Sequence, residues 1–381
     1  MKNIVILGST GSVGTQALDV VRRNPGMFNI HGLAAGSMSN NLMDQISEFQ
    51  PRGISLFVDD LSDNMLPEMT EVVPITDLVS DSQVDYVIVA IPGLAALAPT
   101  LAALDMGKIV ALASKEVLVV AGALLKNRLE SDTAHILPVD SEHSAIWQCL
   151  VGENTEKKEL RRLILTASGG PFRGKTLAEL ESVTPEQALA HPTWRMGPKV
   201  TLDSATLMNK AFEVIEAHWL FNINYSDIDV IVHPESIFHS LVEFSDGTLK
   251  AQLSSPDMRL PIQFALSYPD RLMHVPDFPK LSIESIGTLH FEPLDSKRFP
   301  CFSIGIQAGE SGGTYPAVLN ASDEVAVEYF LNGRLNFQRI SSLIEKVLDE
   351  HDSVSDPGLD EILEADQWAR AQMKKKIEAL G

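Results

Sequence analysis

The sequence predicts an α/β protein: an N-terminal doubly wound parallel sheet, an α+β domain after it, and a helical bundle at the C-terminal end. Three observations carry this reading. Short, continuously apolar runs, the first at Ile4–Leu7, alternate with helical patterns, as buried parallel strands and their crossover helices do. Gly8, Gly11 and Gly14, spaced G-x-x-G-x-x-G, mark the first strand-to-helix turn. From Ala317 onward the apolar residues recur with the helical period, interrupted at Gly333 and at Asp356-Pro357-Gly358.

Length and composition set the outer limits. With 381 residues, 45% of them apolar, the chain can build two or three domains with real cores. A formal net charge of -21 argues against nucleic acid or an anionic membrane as partner, so an anionic substrate requires cations gathered locally. Two cysteines, Cys149 and Cys301, make no disulfide framework and point to a reducing cytoplasm. The first residues run straight into a strand pattern, which predicts no signal or transit peptide. The uncharged run from Tyr86 to Leu104 is interrupted by Pro92, Gly93 and Pro99, so it reads as strand, turn and helix rather than a membrane span.

Taken in order, the strand Ile4–Leu7 leads through the glycine turn into a helix, Thr15 to Arg23. Backbone N–H groups at such a helix start, with the positive end of its dipole, suit a dinucleotide pyrophosphate. A plain glycine-rich turn is the alternative. A second strand, Ile30 to Ala35, ends at Gly36-Ser37-Met38-Ser39-Asn40, where the ribose would be read. The absence of an acidic residue there, with Ser37, Ser39 and Asn40 able to hydrogen-bond a 2′-phosphate, favours NADP over NAD. A helix Leu42 to Phe49, strands Ile54 to Val58 and Tyr86 to Ala90, a helix Leu94 to Met106 and a strand Ile109 to Leu112 follow. Together they make the N-terminal part Rossmann-like.

Ala113-Ser114-Lys115-Glu116 then stands at a strand's carboxyl end, where ligands of open α/β sheets gather. Lys115 is either a surface lysine opening a helix or a cation for a phosphorylated or carbonyl substrate. Next comes Leu137-Pro-Val-Asp140-Ser141-Glu142-His143. In an extended segment Asp140 and Glu142 point the same way, about 7 Å apart along the backbone. At about 4 Å two carboxylates repel by roughly 4 kcal/mol in an effective dielectric of 20, so the pair wants a cation or a shared proton. An all-oxygen set suits magnesium or manganese. A strand end followed by a helix cap, with Glu142 in the first turn, is the inert alternative.

Leu163 to Ala167 reads as a strand, and Ser168-Gly169-Gly170-Pro171 as an anion-binding turn. His191-Pro-Thr-Trp194-Arg-Met-Gly197-Pro198 is a hinged loop whose Trp194 is a packed anchor or a lid. Asp203 or Ser204 caps a helix running to about Leu220, placing Asn209, Lys210 and Glu213 along one edge. An ordinary surface Lys–Glu pair is the simplest reading of that edge. Strands at Asp229 to Val232, Ile237 to Phe244 and Thr248 to Leu253 follow, the last two joined as a hairpin, with His233 and His239 read as structural. Pro256 to Tyr315 reads as a long linker. The expected division is 1–139, a dinucleotide-binding domain; 140–256, a catalytic domain with a mobile loop at 191–198; 257–315, the linker; and 316–381, the helical domain.

Read jointly, Gly8-Ser-Thr-Gly-Ser-Val-Gly14, Ala113-Ser-Lys-Glu116, Pro138-Val-Asp-Ser-Glu-His143, Ala167-Ser-Gly-Gly-Pro-Phe172, His191-Pro-Thr-Trp194 and Asp203-Ser-Ala-Thr-Leu-Met-Asn-Lys-Ala-Phe-Glu213 resemble the 1-deoxy-D-xylulose 5-phosphate reductoisomerase family. The resemblance implies NADPH- and divalent-metal-dependent conversion of 1-deoxy-D-xylulose 5-phosphate to 2-C-methyl-D-erythritol 4-phosphate, a step of non-mevalonate isoprenoid synthesis, by a cytoplasmic homodimer. It implies magnesium, manganese or cobalt at Asp140, Glu142 and Glu213. Substrate would be bound by Lys115, Ser141, Glu142, Ser168, His191, Ser204, Asn209, Lys210 and Glu213, with Lys115, His191, Trp194 and Glu213 catalytic. Thr10, Gly11, Ser12, Val13, Gly36, Ser37, Ser114, Glu116 and Gly197 would hold the cofactor. Many members carry Asn where Ser114 stands, and Lys or Arg with Asn where Ser37 and Met38 stand. A reductase of another phosphorylated ketone and a non-catalytic nucleotide-binding dimer stay open at this point.

Overall fold

The computed structural model describes residues 1–57, 66, 67, 69–129, 135–153, 159–273, 277, 278 and 280–380. The chain divides into two compact units, the first made of Met1–Val117, Asn127–Ser144 and Asp257–Pro279, the second of Leu118–Lys126, Ala145–Pro256 and Lys280–Gly381.

The first unit is built on seven parallel strands: β1 (Lys2–Leu7), β2 (Phe28–Ala35), β3 (Gly53–Leu56), β4 (Glu71–Val72), β5 (Tyr86–Val89), β6 (Ile109–Leu112) and β7 (His135–Pro138). Their order is β4-β3-β2-β1-β5-β6-β7, so the chain winds outward on one side of β1 and then returns to build the other. Ile4, Val5, Ile6 and Leu7 are all fully buried. That is why the central strand reads as one apolar run instead of alternating. Among the described residues, helices Ser12–Arg23, Asn40–Phe49, Ile75–Ser80, Leu97–Asp105 and Glu116–Leu129 lie between the strands. The strand expected at Ile54 to Val58 is β3, and Val58 lies outside the described residues.

The second unit holds a five-stranded sheet with β8 (Leu160–Ala167), β9 (Ile228–Val232), β10 (Phe238–Phe244), β11 (Leu249–Leu253) and β12 (Glu292–Pro293), in the order β11-β10-β8-β9-β12. Only β8 and β9 run parallel. Leu163, Leu165, Val242 and Phe244 pack with Val214 and Ala217 of the Met208–Phe221 helix. This fixes the helix against the sheet at about 25 cal/mol per Å² of apolar surface removed from water. Helices Tyr315–Leu331, Phe337–Asp349 and Leu359–Glu378 form the C-terminal part. No helix among the described residues is long and apolar enough to cross a membrane.

Three sequence expectations need correction. The supposed linker at 257–315 carries helices Arg259–Ser267, Ile283–Ile286 and Pro300–Ser311, and its first part belongs to the first unit. Its prolines misled because Pro261 and Pro300 lie in first helical turns, where no intrahelical N–H is lost. The helix expected to be capped by Asp203 or Ser204 begins instead at Pro198, with Gly197 as N-cap, and stops at Leu207. Leu207 is left-handed, with φ of 62°, and a second helix starts at Met208. The loop read as 191–198 therefore ends at Gly197.

Candidate active site

In the first unit every motif residue stands at the carboxyl edge of the parallel sheet. The turn after β1 is close-packed: a Cβ on Gly8 would lie 2.3 Å from Ala90 O, and one on Gly14 would lie 2.2 Å from Gly8 O. Only glycine fits at either position, and Gly8 also has a φ of +85°. Gly11 is the N-cap of the Ser12–Arg23 helix and supplies no side-chain cap. The helix start around Thr10, Gly11, Ser12 and Val13 is thus a cradle of backbone N–H groups that fits a pyrophosphate. After β2, Gly36 and Ser37 are exposed, whereas Ser39 accepts a hydrogen bond from Leu42 N and caps the next helix. After β6, the buried Ser114 donates to Ile91 O at 2.6 Å, tying the ends of β5 and β6 together, and Glu116 opens a helix.

Lys115 and Asp140 are ion-paired across the ends of β6 and β7. Beyond β7 the backbone does not stay extended, as the two-residue alternation had supposed. β7 ends at Pro138 and a helix, Ser141–Leu150, begins at once. Asp140 precedes it, its Oδ1 accepting from Ser141 N at 3.0 Å, and Glu142 stands in the first turn. Ser141 Oγ donates to Glu142 Oε2 at 2.6 Å. The local backbone is the strand-then-cap arrangement, and it still offers two carboxylates beside each other. His143 was not singled out from the sequence. It is fully buried, with Nδ1 3.9 Å from Asp140 Oδ2. The i, i+3 spacing on a helix was the available signal.

In the second unit, residues far apart in sequence converge on the end of β8. Ser168 Oγ accepts from Gly170 N at 3.2 Å and lies 3.0 Å from His191 Nε2. His191 Nδ1 accepts from the backbone N–H groups of Thr193 at 3.2 Å and Trp194 at 2.9 Å. Its proton is therefore on Nε2, which donates to Ser168, leaving the Ser168 hydroxyl hydrogen to be donated to an anion. Burial holds His191 below its ordinary pKa of 6.5. The Trp194 ring lies 6.1 Å from that of His239, and Gly197 is exposed at the end of the loop.

Gly169 and Gly170 are both left-handed, and a Cβ on Gly170 would lie 2.4 Å from Ser204 O. The 168–170 turn is thus seated directly on Ser204. Past the Leu207 break, Asn209 Nδ2 donates to Glu213 Oε1 at 2.5 Å. Lys210 is paired with Glu213 Oε2, and its Nζ also donates to Thr166 O at 2.5 Å, at the end of β8. Lys210 and Glu213 are only 4% and 1% exposed, so the surface ion pair expected from the spacing is a buried one. Glu216, one turn on, is fully buried and carries no sequence signal beyond helical spacing.

An α/β oxidoreductase that binds a dinucleotide and a phosphorylated substrate is the class defined by this fold and these two constellations. Comparison narrows it. Family models for the 1-deoxy-D-xylulose 5-phosphate reductoisomerase and its C-terminal domains match residues 4–122, 136–221 and 253–372. The 1-deoxy-D-xylulose 5-phosphate reductoisomerase of Pelotomaculum thermopropionicum is 51% identical, with 100% of each chain covered. That of Thermodesulfovibrio yellowstonii is 48% identical over 99% of this chain and 100% of its own. A crystal structure of a DOX-P reductoisomerase with NADPH, fosmidomycin and magnesium superposes with a TM-score of 0.93 at 35% identity, covering 100% of this chain and 99% of its own. The Zymomonas mobilis reductoisomerase with NADPH gives a TM-score of 0.89 at 36% identity, covering 99% of both. The chain belongs to the 1-deoxy-D-xylulose 5-phosphate reductoisomerase family.

Proposed function

We propose that this chain converts 1-deoxy-D-xylulose 5-phosphate to 2-C-methyl-D-erythritol 4-phosphate, with NADPH and a divalent cation, for isoprenoid precursor synthesis. The observation that carries the reading is the full-length match to reductoisomerases, in a chain whose glycine cradle and Ser168–Lys210 constellation both suit phosphate groups. The cation when bound supplies Lewis acidity to the substrate's oxygens, and NADPH supplies hydride.

Asp140, Glu142 and Glu213 are the proposed ligands, an all-carboxylate set that fits a hard cation such as magnesium or manganese. Ser168, Ser204, Asn209 and Lys210 take the substrate phosphate, with Lys210 as the point charge and the hydroxyls as neutral donors. The phosphate is remote from the reacting carbons, so its binding energy is available to order the 191–197 loop. Lys115 and Ser141 orient the substrate backbone. His191 bonds Ser168 on one side and holds the loop backbone at Trp194 on the other, so phosphate capture and exclusion of water by Trp194 are coupled through one ring. Thr10 to Val13, Gly36, Ser37, Glu116 and Gly197 are the proposed cofactor contacts. Ser114 supports that edge through the carbonyls of Val89 and Ile91.

The test is NADPH oxidation with the deoxyxylulose phosphate, with and without chelator. Metal-dependent turnover is expected. Failure to turn over, or turnover indifferent to chelator, overturns the proposal. A homodimer in the cytoplasm completes it: two buried, unbridged cysteines are compatible with a reducing compartment, and light scattering measures the dimer mass directly.

A further inference from the structure

Lys199 is the second residue of the Pro198–Thr206 helix, where its charge opposes the positive end of the helix dipole. Two acids hold it there. Its Nζ lies 2.6 Å from Asp203 Oδ2, one turn along the same helix, and 3.1 Å from Asp323 Oδ2 on the Tyr315–Leu331 helix. The Phe212 ring lies 4.6 Å from the same nitrogen. The Asp203 and Asp323 side chains are 2% and 0% exposed, against 19% for Lys199.

Two carboxylates and one ammonium in such seclusion would leave a buried net negative charge, which is costly. Burial first, then the neighbouring charge of Asp323, pushes Asp203 well above the usual carboxylate range. Asp203 therefore holds its proton more tightly than an ordinary carboxyl does, which lessens the buried charge. Cys301, on the Pro300–Ser311 helix, faces the same pair, and burial followed by both carboxylates pushes its thiol up. Helices that begin at Pro198, Met208, Pro300 and Tyr315 thus share one buried polar joint.

This joint lies directly behind the phosphate constellation. Ser204 follows Asp203, the 168–170 turn rests on the Ser204 carbonyl, and Leu207 turns the chain toward Asn209 and Lys210. We propose that Asp323 is a positioning residue for the substrate phosphate, acting through Lys199 and Asp203 to hold Ser204 and the turn seated on it. The proposal rests on the phosphate-pocket reading given above. A displaced Ser204 holds the phosphate less well in the ground state and the transition state alike, so a rigid joint at this place has consequences for sugar-phosphate affinity.

Steady-state kinetics of full-length Asp323→Ala and Asp323→Asn with NADPH, magnesium and the deoxyxylulose phosphate test it, alongside Ser204→Ala and Lys210→Ala. Asp323→Ala is expected to raise KM for the sugar phosphate about tenfold while kcat and KM for NADPH stay within about threefold. Asp323→Asn keeps the shape of the side chain and an acceptor oxygen toward Lys199, while Asp203 remains as its carboxyl partner, and is expected to return KM to within about threefold of the parent. A folded Asp323→Ala with unchanged sugar-phosphate KM, or with both KM values raised alike, overturns the proposal. If Asp323→Ala does not fold, Lys199→Gln is measured in its place and must show the same split. If Ser204→Ala and Lys210→Ala leave the sugar-phosphate KM unchanged, the pocket reading itself fails, and this proposal with it. If they raise it and Asp323→Ala does not, only the positioning role fails.

Discussion

Lys115 at the end of β6 and Asp140 just past the end of β7 form an ion pair on adjacent strands, both side chains largely withdrawn from water. The ammonium therefore sits where a cation bound by Asp140 would compete with it.

Replacing Lys115 by Met removes that competitor while keeping most of the side chain's volume. Mn2+ binding followed by calorimetry is expected to be as tight as in the parent or tighter, while kcat falls about 100-fold. Weaker metal binding in this variant would show that Lys115 supports the ligand instead of competing for it.

Glu213→Gln keeps one acceptor oxygen, for Asn209 or for Lys210, but removes the charge. Turnover is expected to fall about 100-fold or more, with the metal concentration for half-maximal activity raised. The loss of charge beside Lys210 lowers the melting temperature without abolishing the fold, because Lys210 still donates to Thr166 O. Parental turnover at limiting metal would remove Glu213 from the ligand set.

Gly170→Ala places a methyl group against Ser204 O at a backbone φ of +68°. A stability loss of about 1–3 kcal/mol is expected, with a raised KM for the sugar phosphate and little change in KM for NADPH. Thermal melts and the two KM values check this together.

His191 gives a pH dependence with a definite sign. Its folded-state pKa lies below 6.5, so the neutral ring is the favoured form. Its contribution to stability is complete above the unfolded value and is lost as pH falls through the folded one. Protonating Nδ1 also sets a hydrogen against the N–H groups of Thr193 and Trp194. Nitrogen NMR is expected to show the Nε2–H tautomer at neutral pH and a titration below 6.5, with sugar-phosphate KM rising through it. A titration at or above the ordinary value contradicts this.

The strands of the first sheet were legible because parallel strands are buried on both faces. Ile109–Leu112 emerges with the boundaries its apolar run marks. The glycine turn was legible because the Gly8 and Gly14 contacts leave no room for a side chain. The break at Leu207 was not legible, since leucine carries no left-handed preference and the constraint comes from packing around it. The Lys210–Glu213 pair was read as a surface pair because helical spacing says which residues are neighbours and says nothing of what covers them. Asp323 was silent for the same reason. Its partners lie on another helix, and sequence separation hides the joint.

The first unit closes only when residues 257–279 come back to it. Lys2 Nζ donates to Leu266 O at 2.9 Å, and Arg259 is ion-paired with Asp19 of the first helix. During synthesis the N-terminal sheet therefore emerges long before the segment that covers it. A chain cut at Ser144 retains every strand of that sheet but lacks Arg259–Ser267. The domain is discontinuous in the gene, and its excision requires the later segment to be supplied, by fusion or as a separate peptide.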